Sequence, residues 1–285
     1  MIISINKIEM KKNIFHLIAI LLLTVFSTGS FAQDNRTLET KVADILAQMP
    51  TKDLVHRDRV INELIGLGSD GFQKTANLLV PPGTGDDTAV RFAINSCARY
   101  ASEFGKEKEK YFVEEQLLKA LGNQSDKDVK TFLLNQLNLV GGEKTIAAVK
   151  AFLTDEYLVE PATQTLLSVG GKPAAHAIVE AFSNVSEKSK PTLIKALGEL
   201  QCIGAVQQIT PFVNDKNPAT KKVALQALAN IGDPGSYKTL STAAKNANYA
   251  YEPTNATEAF LNYAEVLGTK NEIELCKKAC NEIIK

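Results

Sequence analysis

The chain has no tryptophan and only three histidines among 285 residues. Without indole rings it lacks the broadest platform for stacking on sugars, which counts against a glycan-binding cleft. One histidine, His16, falls in a leader-like segment at the start. His56 runs into Arg57-Asp58-Arg59, a charged stretch that reads as a solvated face. His176 follows Pro173-Ala174-Ala175 at a helix start, a capping or packing position. No nearby serine or cysteine has the context of a nucleophile. Acidic residues are plentiful, yet no spacing singles out two as an acid–base pair. Charge of one sign is also missing: 32 basic residues balance 32 acidic ones. That argues against nucleic acid, which needs a basic stripe, and gives no basis for anchoring to anionic lipid. Of the four cysteines, Cys276 and Cys280 offer two metal ligands with no histidine near in sequence, too few for structural zinc. No catalytic residue, cofactor site or metal site is predicted.

Val80-Pro81-Pro82-Gly83-Thr84-Gly85-Asp86-Asp87 has the composition of a phosphate loop but not its Gly-Lys-Ser/Thr ending. It reads as a connection between helices with Asp87 as N-cap. Asp87-Thr88-Ala89 also resembles the three-residue O-glycosylation acceptor of some Gram-negative bacteria, and an N-cap gives the same residues without modification.

What the chain does have is a repeat. In 219–231, Val223, Ala224, Ala227, Leu228 and Ile231 recur every three or four residues and share one helical face, with Lys221, Lys222 and Gln226 opposite. Gly232 ends the helix, Asp233 is placed to cap the next, and Pro234 suits its first turn. Tyr237, Leu240, Ala243 and Ala244 then form a second apolar stripe. Helices this short cannot bury both stripes alone, so copies must stack. Equivalent turn positions fall at Gly68, Gly105, Gly141, Gly170, Gln201 and Gly268, at intervals of 29 to 37 residues. The Leu228 position is filled by Leu64, Ala101, Leu137, Leu166, Leu197 and Ala264. The Ile231 position is filled by Leu67, Phe104, Val140, Val169, Leu200 and Leu267. In the second helices Leu240 aligns with Ile209, Ile178 and Val149.

These residues, Ala224 through Pro234 above all, resemble the HEAT-repeat pattern (armadillo-like), and in particular its short phycobilisome-lyase-type variant. Ala196-Leu197-Gly198 and Val90-Arg91-Phe92-Ala93 are similar fragments. The resemblance covers residues 53–285 and departs at Gln201-Cys202-Ile203-Gly204, where the turn glycine is displaced, and near 99–110, where the helices read as longer. It implies an all-α, right-handed α-solenoid of about seven helical hairpins.

Before the repeats, Lys7, Lys11 and Lys12 precede an apolar run from Ile14 to Phe26, and Ser30-Phe31-Ala32 has the small-x-small pattern of a signal-peptidase site. Residues 1–32 read as a signal peptide and Gln33 as the mature N-terminus; the apolar run is short for a membrane anchor. Removal leaves 29 basic against 31 acidic residues. Residues 33–52 hold an N-terminal capping helix striped by Leu38, Val42, Ile45, Leu46 and Met49, and 53–285 form the repeat domain. Export makes disulfides possible. The repeat phases place Cys97, Cys202 and the Cys276/Cys280 pair in different copies, predict four free thiols, put Cys276 and Cys280 inside the stack, and leave Cys202 the most exposed.

The predicted role is that of an exported, periplasmic or secreted Gram-negative protein, not an enzyme, whose concave second-helix face binds a protein or peptide. Lys144, Lys150, Glu180, Gln207, Gln208 and Lys238 lie off the core stripe there. The loop 246–257 adds Tyr249 and Tyr251, which either anchor a partner or pack back over the repeat junction. The array is also similar to the N-terminal HEAT module of secreted bacterial proteins with a 3-keto-disaccharide-hydrolase-like half. That similarity, with apolar Ile283 and Ile284 before Lys285, implies an alternative: an accessory module of a glycan-processing protein or complex, its end covered by a further domain or a partner. A lyase or DNA-repair enzyme on such repeats is disfavoured by export, the lack of tryptophan and the near-neutral charge. No membrane insertion is expected after signal cleavage.

Overall fold

Short helices need explicit starts and stops, and the chain supplies them. The structure, a computed structural model, describes residues 34–284; the expected signal peptide lies outside the described residues. Fifteen α-helices are present in that span. The opening helix α1 (Leu38–Leu46) buries Val42 and Ile45. Seven hairpins follow. Their first helices are α2 (Leu54–Gly66), α4 (Thr88–Ala101), α6 (Lys127–Val140), α8 (Val159–Val169), α10 (Lys190–Glu199), α12 (Pro218–Ile231) and α14 (Ala256–Thr269). Their second helices are α3 (Gly68–Ala76), α5 (Glu107–Asn123), α7 (Glu143–Val149), α9 (Gly171–Ala181), α11 (Val206–Ile209), α13 (Tyr237–Asn246) and α15 (Ile273–Ile283). Side chains of Asp53, Asp126 and Asn217 cap α2, α6 and α12 by accepting backbone N–H bonds.

Successive first helices stack on one another to make one layer of an α-solenoid, and the second helices make the other. The core runs between the layers. The residues at the Leu228 position, namely Leu64, Ala101, Leu137, Leu166, Leu197, Leu228 and Ala264, are all buried, as are Val149, Ile178, Ile209 and Leu240 in the second layer.

The first helices are also tied by polar bonds from repeat to repeat. Tyr100 donates to Asn62 at 2.9 Å, Asn95 to Gln136 at 2.7 Å, and Thr165 to the Leu134 carbonyl at 3.1 Å. Thr192 donates to Glu160 at 2.9 Å, and Asn262 to Asn230 at 2.7 Å. Between α10 and α12 the helices instead approach closely: a Cβ on Gly198 would sit 2.6 Å from the Ala227 Cα. In the second layer Glu114 of α5 is buried, and its carboxylate accepts from the Gly142 N–H and the Thr145 hydroxyl, each at 2.7 Å. One repeat thus caps the helix of the next.

Several expectations are corrected. Phe104 is 104% exposed, because α4 ends at Ala101 and residues 102–106 form a loop, so the helical phase stops before it. Gly68, Gly105, Gly170 and Gly232 have positive φ, and Gln201 takes the left-handed turn itself at φ 49° where the glycine is displaced. Gly141 turns at φ −58° instead. Gly268 lies inside α14, and Asn271 at φ 64° makes the turn three residues later. Asp87 does not cap α4: its carboxylate accepts from the Val80 N–H and Arg91, while Asp86 accepts from the Thr88 N–H at 3.0 Å. Asp233 precedes a 3-10 turn over Pro234–Ser236 and makes no side-chain cap. Cys280 is exposed and Cys276 half-buried, because α15 buries Ala279 against the stack, whereas Cys97 is buried; all four thiols are free.

Candidate functional site

On α13 the polar residues Lys238, Thr239, Thr242 and Asn246 recur at helical spacing, while Leu240 and Ala244 face the core. Beside them the fifth repeat ends in 3-10 turns over Thr210–Asn214, which carry Thr210 and Asn214. The first turn of α12 contributes Lys221, and the loop after α13 returns with Glu252 and Thr254. Together they line an open cavity of ≈ 390 Å³.

The two cations in this cavity are not neutralised by contact. Among the described residues neither Lys221 nor Lys238 makes an ion pair, and Lys238 is exposed. The one acid on the wall is spent on the fold: Glu252 accepts from the Thr254 and Ala256 N–H groups at 2.7 and 2.9 Å and from the Thr254 hydroxyl. Partial burial opposes its ionisation, but those bonds and the nearby charge of Lys221 hold its carboxyl below the usual range.

The far side of α13 faces α15. Glu282 accepts from the hydroxyls of Tyr237 at 2.8 Å and Tyr249 at 3.0 Å, from Ser241, and from Lys245 at 3.0 Å. Burial works against ionisation here, yet these donors outweigh it and depress the Glu282 carboxyl to about 2. Burial first, then the bond to Glu282, pushes Tyr237 upward.

The two loop tyrosines therefore part company. Tyr249, held at φ 53°, packs half-buried against the core with its hydroxyl on Glu282. Tyr251 is 89% exposed. The other predicted contact residues are scattered over the second layer. Lys150 and Glu180 pair with each other across the third and fourth repeats, and His176 Nε2 lies 2.9 Å from Glu180. The Lys150 hydrogen bond lowers the Glu180 carboxyl. Lys144 and Gln207 are exposed on separate repeats, and Gln208 is half-buried with its side-chain oxygen enclosed. Only Lys238 sits in the cavity. Lys221 lies by phase on the outward face of its helix, and its approach to the fifth repeat and to α13 of its own hairpin is a tertiary fact. The Thr239–Thr242–Asn246 stripe is visible in the sequence, but beside the apolar stripe of Leu240 and Ala244 it looks like any solvated helix face.

Among the described residues no group of three or more His, Cys, Asp or Glu could hold a metal, and no described helix is long and apolar enough to cross a membrane.

Residues 175–260, which run from α9 into α14, match the HEAT repeats family. That match supports a HEAT-repeat protein, and such repeats commonly mediate protein interactions. No curated protein matches the chain. Among solved structures, human deoxyhypusine hydroxylase in complex with glycerol aligns over 86% of this chain and 96% of that chain, at 16% identity and a TM-score of 0.28. So loose a superposition transfers nothing to this chain.

Proposed function

We propose that the chain is an exported protein–protein interaction scaffold with no catalysis of its own. In this reading its repeats are of the short phycobilisome-lyase type, its leader is removed in a Gram-negative envelope, and the second-helix layer takes a protein or peptide partner. The observation that carries the reading is the cavity beside Lys238: Lys221, Lys238, Thr239, Thr242, Asn214 and Asn246 on its wall make no side-chain hydrogen bond or ion pair among the described residues, and such polar groups converging on one concavity mark a binding surface. The test is site-specific photo-crosslinking in the full chain inside a Gram-negative host. A crosslinker at Gln207, Lys238 or Tyr251 is expected to trap one and the same protein, and one at Lys222 to trap none. Failure to trap anything from all three positions overturns the reading.

A second reading is favoured by the last repeat, where Leu261, Cys276, Cys280, Ile283 and Ile284 line an apolar hollow of ≈ 290 Å³ and Ile284 is 82% exposed. Here the array is an accessory module, similar to the N-terminal part of 3-keto-disaccharide-hydrolase-like proteins, and a glycan-processing domain or enzyme covers that end. It requires a crosslinker at Leu261 to trap such a protein while Lys238 traps nothing.

A further inference from the structure

We infer that the cavity between the fifth and sixth repeats selects an acidic peptide segment, seating its carboxylates between Lys221 and Lys238. The inference rests on the interaction reading and gives the partner its chemistry. Lys221 closes the first turn of α12, which contains no acidic residue. A cation there faces the positive end of the helix dipole, an arrangement that an incoming anion relieves. Lys238 comes from α13, so the two helices of the sixth hairpin each contribute one lysine to the lining of the same cavity, against the Thr210–Asn214 turns of the fifth repeat. Glu252 makes no ion pair with either lysine: its oxygens are engaged with Thr254 and Ala256 at the start of α14, and it interacts with Lys221 only through nearby charge. The remaining wall provides donors that suit carboxylate oxygens: the Thr239 and Thr242 hydroxyls and the Asn214 and Asn246 amides. At ≈ 390 Å³ the cavity is at the small end for ligand sites and open to solvent along α13, which fits side chains presented by an extended strand of a partner better than an enclosed metabolite. Tyr251, exposed on the loop that supplies Glu252 and Thr254, lines a separate hollow with Asn255, Glu258 and Leu261.

The probe is a fluorescein-labelled ten-residue peptide rich in Asp and Glu, titrated into the full chain and followed by anisotropy. Binding is expected, weakening with added salt as exposed ion pairs do. The Lys221→Gln, Lys238→Gln double variant is expected to bind about tenfold more weakly, the effect of removing two partly exposed charge pairs. Lys222→Gln, on an exposed neighbouring position, should bind as the parent does. A Lys221→Glu, Lys238→Glu variant should prefer a Lys-rich peptide, a gain that misfolding cannot imitate. Equal binding by the parent and the double Gln variant, or no binding by the parent, overturns the inference. So does inorganic sulfate that displaces the peptide completely at low millimolar levels, which would mark a site for free anions. Crosslinks from Gln207 or Tyr251 without peptide binding would leave the interaction reading standing and remove only this one; absence of both removes both.

Discussion

Gly198 on α10 faces Ala227 on α12 so closely that a methyl group has no room: an added Cβ would lie 2.6 Å from the Ala227 Cα and 2.8 Å from its Cβ. Replacing a helical glycine with alanine normally stabilises by about 0.5–1 kcal/mol through backbone entropy. At Gly198 the sign should reverse, because the first-helix layer must part to admit the methyl, at a cost of about 1–3 kcal/mol. Gly122→Ala, on α5 with open space around it, should show the ordinary gain. Urea denaturation of the two variants makes the comparison.

Glu114→Ala should leave the Gly142 N–H and the Thr145 hydroxyl without their partner in a buried setting. The expected loss is about 1–3 kcal/mol, the cost of stranded buried polar groups. Loss of amide protection in α7 before the rest of the chain, seen by hydrogen exchange, would locate the effect.

The Glu282 cluster should respond to acid in a defined window. Its carboxyl titrates at about 2 in the folded chain, against about 4.3 for an ordinary glutamate. A depressed carboxyl stabilises fully above the unfolded value and loses that contribution as pH falls through the folded one. Exchange protection of Tyr249 and the loop that follows should therefore be flat from neutral pH to about 5 and decline below about 4. Glu282→Gln should remove most of that acid dependence.

Thiol chemistry should separate the cysteines. Cys280 is exposed, while burial pushes the Cys97 thiol up to about 12. A thiol-specific reagent at neutral pH is expected to label Cys280 readily and Cys97 only after unfolding, which peptide mass spectrometry resolves.

Expression in a Gram-negative host followed by N-terminal sequencing tests export. The expected first residue is Gln33; recovery of chains that begin at Met1 only would contradict the reading of a cleaved leader.

Much of the architecture was legible because a solenoid writes one structural unit again and again. The row from Leu64 to Ala264 could be aligned without knowing any contact, and every member is buried. The same device failed where a unit departs from its copies. Phe104 kept its place in the alignment although the helix had already stopped, and Gly268 looked like a turn although Asn271 makes it. The candidate site was less legible for a different reason. Tyr249 and Tyr251 are near-identical in sequence context, and what separates them is Glu282, a residue 33 positions away that claims one hydroxyl. Lys221 and Lys238 belong to the two helices of one hairpin, 17 positions apart, and only its closure against the fifth repeat brings them to one cavity.

The polar ties between first helices, and their counterparts in the second layer, have a mechanical consequence. Among the described residues even the longest of these side-chain links, from Lys119 to Ser69, spans 50 positions, little more than one repeat. The array is therefore a chain of springs in series. A twist imposed at the Lys238 end has no direct linkage to the opening helix and must be handed on hairpin by hairpin, softening at each junction, so that the two ends of the molecule flex and fray on separate clocks.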